Sequence, residues 1–149
     1  MYRTFTTAVL LVILLAGSLT LAGCQTLTTE REQTLYEQLG ERKGIARIVE
    51  DLLYLIIEDN RINHQFKGTD VVQFHQNLTD QLCVLSGGPC TYNGKEMRKL
   101  HEDMVITDTQ FNALVEDLIL AMEKNRISTG AQNRLLKQLI PLHPDIRNL

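Results

Sequence analysis

Apolar residues recur at helical spacing in four stretches of this chain. Ile45, Ile48, Val49, Leu52, Leu53, Ile56 and Ile57 fall three and four apart, the period of one helix face. Asp59-Asn60 then suits a helix end or a turn. Val71, Phe74, Leu78, Leu82 and Leu85 make a second stripe, with Asp70 as its expected N-cap. Gly87-Gly88-Pro89 stops that helix, because glycine permits a left-handed terminus and proline cannot continue the ladder. Phe111, Leu114, Val115, Leu118 and Met122 make a third stripe, capped by Thr107 or Asp108. Ala131, Leu135, Leu136 and Leu139 make a fourth, ended by Pro141 and Pro144. No segment sustains the alternation of a strand, so the class is all-α.

The first residues carry a different pattern. Met1 to Thr7 holds one charge, Arg3, and an apolar run from Ala8 to Ala22 leads to Leu21-Ala22-Gly23-Cys24. A basic start, a short apolar core and small residues before a cut mark a secretion signal. The run is too short and too interrupted for a comfortable membrane span. Leu-Ala-Gly-Cys resembles the bacterial lipobox, which implies cleavage before Cys24 and lipidation of its thiol. The expected organisation is a signal peptide over 1–23, a lipidated Cys and tether over 24–34, and one domain over 35–149. Gln25 to Thr34 is polar, as a flexible tether is. The expected location is a bacterial membrane, reached through the lipid and facing the periplasm or the exterior. Gln25 follows the Cys where an Asp would favour inner-membrane retention, so the outer membrane is preferred.

Removing 23 residues from 149 leaves 126, enough for one domain. With 14 basic and 18 acidic side chains the processed chain carries −4. That charge, with no Lys/Arg cluster, argues against nucleic acid as a partner. Trp is absent, and a chain this small struggles to bury a large core, which a bound cofactor could partly fill.

The segment between the second and third stripes is short, rich in turn residues and holds one isolated His. It reads Gly-Gly-Pro-Cys-Thr-Tyr-Asn-Gly-Lys-Glu-Met-Arg-Lys-Leu-His from Gly87 to His101. Helical-bundle and globin packing are both open from the stripes alone. The segment itself resembles the signature of group I truncated haemoglobins. So do Leu35-Tyr36-Glu37-Gln38-Leu39-Gly40, Asp59-Asn60-Arg61-Ile62 with Phe66, and Phe111 to Leu118, in matching order. The resemblance covers about residues 35 to 146. It implies a truncated globin, a two-over-two helical sandwich, with haem b (iron protoporphyrin IX) as cofactor.

On that resemblance His101 is the iron ligand, a role that needs a neutral imidazole oriented by a second partner. Met97, four residues earlier, shares its helical face and can pack on the porphyrin. Phe66 matches the family's stacking phenylalanine, and Tyr92, Ile106 and Phe111 are placed near the cofactor as well. Arg98 and Lys95 could pair with the haem propionates or be a solvated face. Gly87, Gly88 and Gly94 would allow positive φ where the chain reverses. His64, His75 and His143 read as surface or capping residues.

The ligand side departs from the family, which commonly has a Tyr and Gln residues there. The corresponding positions are Leu53, Phe74 and Leu78, an apolar pocket without a hydrogen-bond donor. A register one residue away would bring Tyr54, Gln73 and Asn77 in instead. Cys83 and Cys90 flank the Gly-Gly-Pro reversal, and in an oxidising compartment they are expected to pair; two buried free thiols are the alternative.

The implied function is reversible binding of a diatomic gas: O2, NO or CO. A nitric oxide dioxygenase or peroxidase-like activity is the alternative. It would need an outside reductase, since no flavin or nicotinamide motif is present. A structural lipoprotein that lost its haem is disfavoured by His101, Met97 and Phe66.

Overall fold

The computed structural model describes residues 31–147. The expected signal peptide, Cys24 and most of the expected tether lie outside those residues. Among the described residues there are helices and turns and no strand. The helices are α1 (Leu35–Gln38), α2 (Glu41–Glu58), α3 (Val71–Leu85), α4 (Met97–Leu100), α5 (Asp108–Lys124) and α6 (Thr129–Leu139). Short 3-10 turns cover Asn63–Phe66 and Ile140–Asp145.

Local chemistry sets the helix starts. Thr34 and Glu37 form a reciprocal capping box at α1. The Asp70 carboxylate accepts from Gln73 N at α3, as expected. Of the two candidates at α5, Thr107 is the cap, in a box with Gln110. Ser128 accepts from Ala131 N at α6. Each such cap stabilises its helix by about 0.5–2 kcal/mol.

The long helix α2 packs against both α3 and α5, while α6 closes against α1 and α3. The buried face of α2 is Ile45, Ile48, Val49, Leu52 and Ile56, and it meets Leu82, Ala113, Met122 and Leu135. Burying each large side chain here contributes about 1.5–3 kcal/mol. The sequence stripe was wider than this face. Ile57 is 64 % exposed and Leu53 is only half-buried, because each stands about 100° round the helix from its buried neighbour.

After α3 the chain reverses. Gly87 has φ +82°, where a side chain is strained. Gly88 serves close approach instead: a Cβ there would come within 2.5 Å of the Tyr36 ring and 2.6 Å of Cys83 Sγ. Gly94 likewise lies under the Tyr92 ring, without the positive φ expected for it. Cys83 and Cys90 are joined by a disulfide across this reversal, with Cα atoms 5.9 Å apart.

Candidate functional site

A mostly apolar cavity of about 340 Å³ lies between α3 on one side and the segment from Tyr92 to His101 on the other. Phe66, Phe74, Leu78, Met97 and Phe111 line it, together with Leu52, Leu118 and Leu142. Phe66 and Phe74 meet edge to face, with ring centroids 5.6 Å apart. The C-terminal turn supplies Leu142 and Ile146, so the chain's last described residues help to close the cavity.

His101 is the imidazole on its lining. It sits at the C-terminal cap of the four-residue helix α4. Its Nδ1 lies 2.8 Å from the carbonyl oxygen of Met97. A carbonyl can only accept, so Nδ1 is a protonated nitrogen, and in the neutral ring the lone pair stands on Nε2. This is the second-shell arrangement that orients a metal-binding histidine and raises its basicity. Met97 is itself held, since Gln81 Nε2 of α3 donates to its sulfur at 3.3 Å. Tyr92 lines the same wall and donates its hydroxyl to the Lys95 carbonyl at 2.7 Å, and burial pushes its phenol up from the ordinary value.

The other histidines are engaged elsewhere. His75 Nε2 lies 2.9 Å from Ala46 O of α2, a structural link between two helices. His64 meets Gln110, and His143 packs edge-on to Phe111 beside Asp108. Among the described residues no group of three or more His, Cys, Asp or Glu side chains could hold a metal ion.

The structure corrects several positions. Leu53 does not line the cavity; its neighbour Leu52, 2 % exposed, does. The turn of α2 that faces α3 and α5 is centred on Leu52, which rotates Leu53 away. Tyr54 is 61 % exposed, so a one-residue shift on α2 does not bring it in. On α3 both registers contribute. Phe74 and Leu78 line the cavity, and so do Gln73 and Asn77, because the cavity spans more than one stripe of that helix. Gln73 Nε2 donates to Asn77 Oδ1 at 2.9 Å. The lining therefore includes amide groups that an all-apolar reading omits.

Ile106 is buried but stands outside the lining. Lys95 is exposed and also outside it. Arg98 lines a neighbouring groove, where Asp145 holds its guanidinium at 2.7 Å. Thr69, Asp70 and Gln81 complete the polar part of the lining; none was expected there from the sequence, which had named Asp70 only as a cap. Their signal was present for Gln81, which follows Gln73 and Asn77 at intervals of four on α3.

The match to known proteins follows this architecture. Residues 34–148 match the family model described as bacterial-like globin. The chain is 31% identical over 107 residues to a group 1 truncated haemoglobin of Tetrahymena pyriformis, covering 72% of this chain and 88% of that protein. The crystal structure of truncated haemoglobin from Tetrahymena pyriformis in its Fe(III) form superposes with a TM-score of 0.76 at 29% identity, covering 78% of this chain and all of that one. The 2/2 haemoglobin of Synechococcus sp. PCC 7002, solved in the cyanomet state with covalently attached haem, gives 0.71 at 27% identity, covering 76% and 98%. With its helices, cavity and imidazole arranged on this truncated-globin fold, the chain belongs to the bacterial-like globin family.

Proposed function

We propose that this globin holds haem b through His101 Nε2 and uses it to bind a diatomic gas reversibly. The observation that carries the reading is the Nδ1 contact to Met97 O at 2.8 Å, on the wall of an apolar cavity. It presents one oriented, neutral imidazole donor to a space lined by aromatic and aliphatic side chains. That donor set suits an iron already held in a planar macrocycle. When bound, the haem supplies an iron that takes up the gas.

The chain's own residues do the rest. Met97 O keeps the His101 ring in one tautomer. Phe66, Phe74, Phe111 and Leu78 give the cavity an apolar lining, which would limit water beside a bound haem. Gln73 Nε2 donates to Asn77 Oδ1, which leaves the Asn77 amide N–H groups as donors beside the cavity. A donor there stabilises a polar gas more than an apolar one.

The absorption spectrum of the purified full chain, ferric and ferrous, tests the reading. The expected outcome is a Soret band and visible bands of an imidazole-ligated haem that shift on adding CO. A chain that emerges colourless and takes up no added haem overturns it.

The exported, lipid-anchored location belongs to the same reading and rests on Leu21-Ala22-Gly23-Cys24. The Cys83–Cys90 bond is compatible with an oxidising compartment. Cys24→Ser should lose its acyl chains and leave the membrane fraction. Retention of acyl chains by that variant removes the lipobox from the account.

A further inference from the structure

The wall that carries His101 has little secondary structure of its own. Helix α4 is four residues long, and residues 91–96 form no helix or strand before it. A helix that short is not stable by itself. Beside its packing on the C-terminal turn, its directed ties to the rest of the domain are few: Gln81 on Met97, Arg98 on Asp145, and, through the preceding loop, the Cys83–Cys90 disulfide. Only the last is covalent.

That bond joins the end of one wall to the loop that leads into the other. Cys83 is on the last turn of α3, the helix that supplies Phe74, Leu78 and Leu82 to the cavity, and it is fully buried. Cys90 stands at the start of the strapless stretch and is half-buried. Around it the reversal is tightly seated: Gly88 N donates to Cys83 O at 2.8 Å and Tyr36 N to Ser86 O at 3.1 Å. Without the disulfide, the stretch leading to Met97 would be tied back to α3 only by the short backbone of the reversal and its hydrogen bonds.

We propose that the Cys83–Cys90 disulfide is a redox-controlled clamp on the His101 wall, and that reducing it weakens retention of the cofactor. The proposal rests on the haem reading above. The reductant is a dithiol. One of its thiolates attacks Sγ of Cys90, the less buried of the two residues; the S–S bond breaks, and its electron pair goes to Cys83 Sγ, which takes a proton. The second thiol then attacks the mixed disulfide and releases the Cys90 thiol. Two electrons and two protons pass to the protein, and the reductant leaves as its own disulfide.

The geometry adds a direction to this exchange. The sulfur that must leave, Cys83 Sγ, is fully buried, so the exchange requires the loop to open first. A closed, cofactor-filled cavity opposes that opening. By linkage, if reduction weakens cofactor binding, then bound cofactor must protect the disulfide by the same factor.

The test uses the full chain loaded with haem, its Soret band checked in each sample. Transfer of haem to excess apomyoglobin is timed for the oxidised protein, for the protein reduced with a dithiol, and for the Cys83→Ser/Cys90→Ser variant. Release should be faster in both altered samples by on the order of tenfold. The reduced wild-type chain carries the test even where the variant does not fold. In the reciprocal experiment, dithiol reduction is timed by thiol trapping and mass measurement on haem-loaded and haem-free protein. Bound haem should slow reduction by a similar factor, which a merely structural bond remote from the cavity does not require. Equal release rates, or equal reduction rates with and without haem, overturn the clamp. An oxidised protein without a Soret band overturns the haem reading and the clamp with it, so the two failures are distinct.

Discussion

One wall of the cavity is a fifteen-residue helix, and the other is a four-residue turn of helix between two loops. Helix α3 is capped by Asp70, carries its own hydrogen-bond ladder and leans on α2 and α6. Its side chains reach the cavity because the whole helix is fixed by a packed core. The wall with His101 is fixed the other way. There the position of one side chain depends on single contacts to Met97, Arg98 and Cys90, and its helix α4 packs chiefly against the C-terminal turn. The difference separates two jobs. Burial of many apolar groups holds shape cheaply but tolerates small shifts; a few directed bonds set one ring in one orientation and are lost one at a time.

The strongest test of the contrast removes the ring that the weaker wall exists to hold. His101→Ala should abolish the imidazole-ligated spectrum, while the far-ultraviolet circular dichroism of the fold is unchanged. A variant that keeps the wild-type spectrum would transfer the role to another histidine and remove the contrast.

The packed scaffold should fail differently. Leu52→Ala deletes a fully enclosed side chain and should cost about 2–5 kcal/mol of unfolding free energy, read from the denaturant midpoint. Leu100→Ala, in α4, removes a side chain that is 47 % exposed and should change stability by about 0.5 kcal/mol or less. Similar losses at both positions would mean that the short wall is packed as the core is.

A smaller effect is expected from the polar edge of the long wall. Asn77→Leu removes one amide donor from the cavity's lining and should speed O2 release from the ferrous protein by about fivefold, the lower end of what one hydrogen bond contributes. Stopped-flow displacement of O2 by CO measures it. An unchanged rate would return the cavity to the donorless state that Phe74 and Leu78 alone suggest.

The scaffold also contains one misfit, and its removal sharpens the comparison least. Asp117 of α5 is 4 % exposed, its Oδ2 has no hydrogen-bond partner, and burial pushes its carboxyl up, with Asp59 adding to the rise and Arg61 opposing it. The folded state therefore binds this proton more tightly than the unfolded chain does. Stability from this group is full below the ordinary carboxylate range and is lost as pH rises through the raised folded value. Asp117→Asn should remain neutral throughout, so its stability relative to wild type should rise across that window and hold at neutral pH. Parallel stability curves for the two proteins would place the carboxyl in water after all.

Much of this molecule was determined by its sequence alone. Four apolar stripes, their caps and the Gly-Gly-Pro stop specify the helices because period and capping act over one or two turns. The resemblance to truncated haemoglobins singled out Phe66, Phe74, Leu78, Met97, Tyr92, Phe111 and His101, and all line the cavity. Tertiary structure decided what local pattern leaves open. A stripe as wide as that of α2 allows either Leu52 or Leu53 to face inward, and the choice came from how α3 and α5 seat against that helix. The partner of Arg98 is Asp145, 47 residues away, a pairing that depends on where the C-terminal turn docks. Gln73 and Asn77 entered the lining because a cavity collects every side chain on its curved wall, whereas a helical stripe counts only the apolar ones. Periodicity is a property of one helix at a time; the rotation of each helix about its axis is settled only when its neighbours are packed against it.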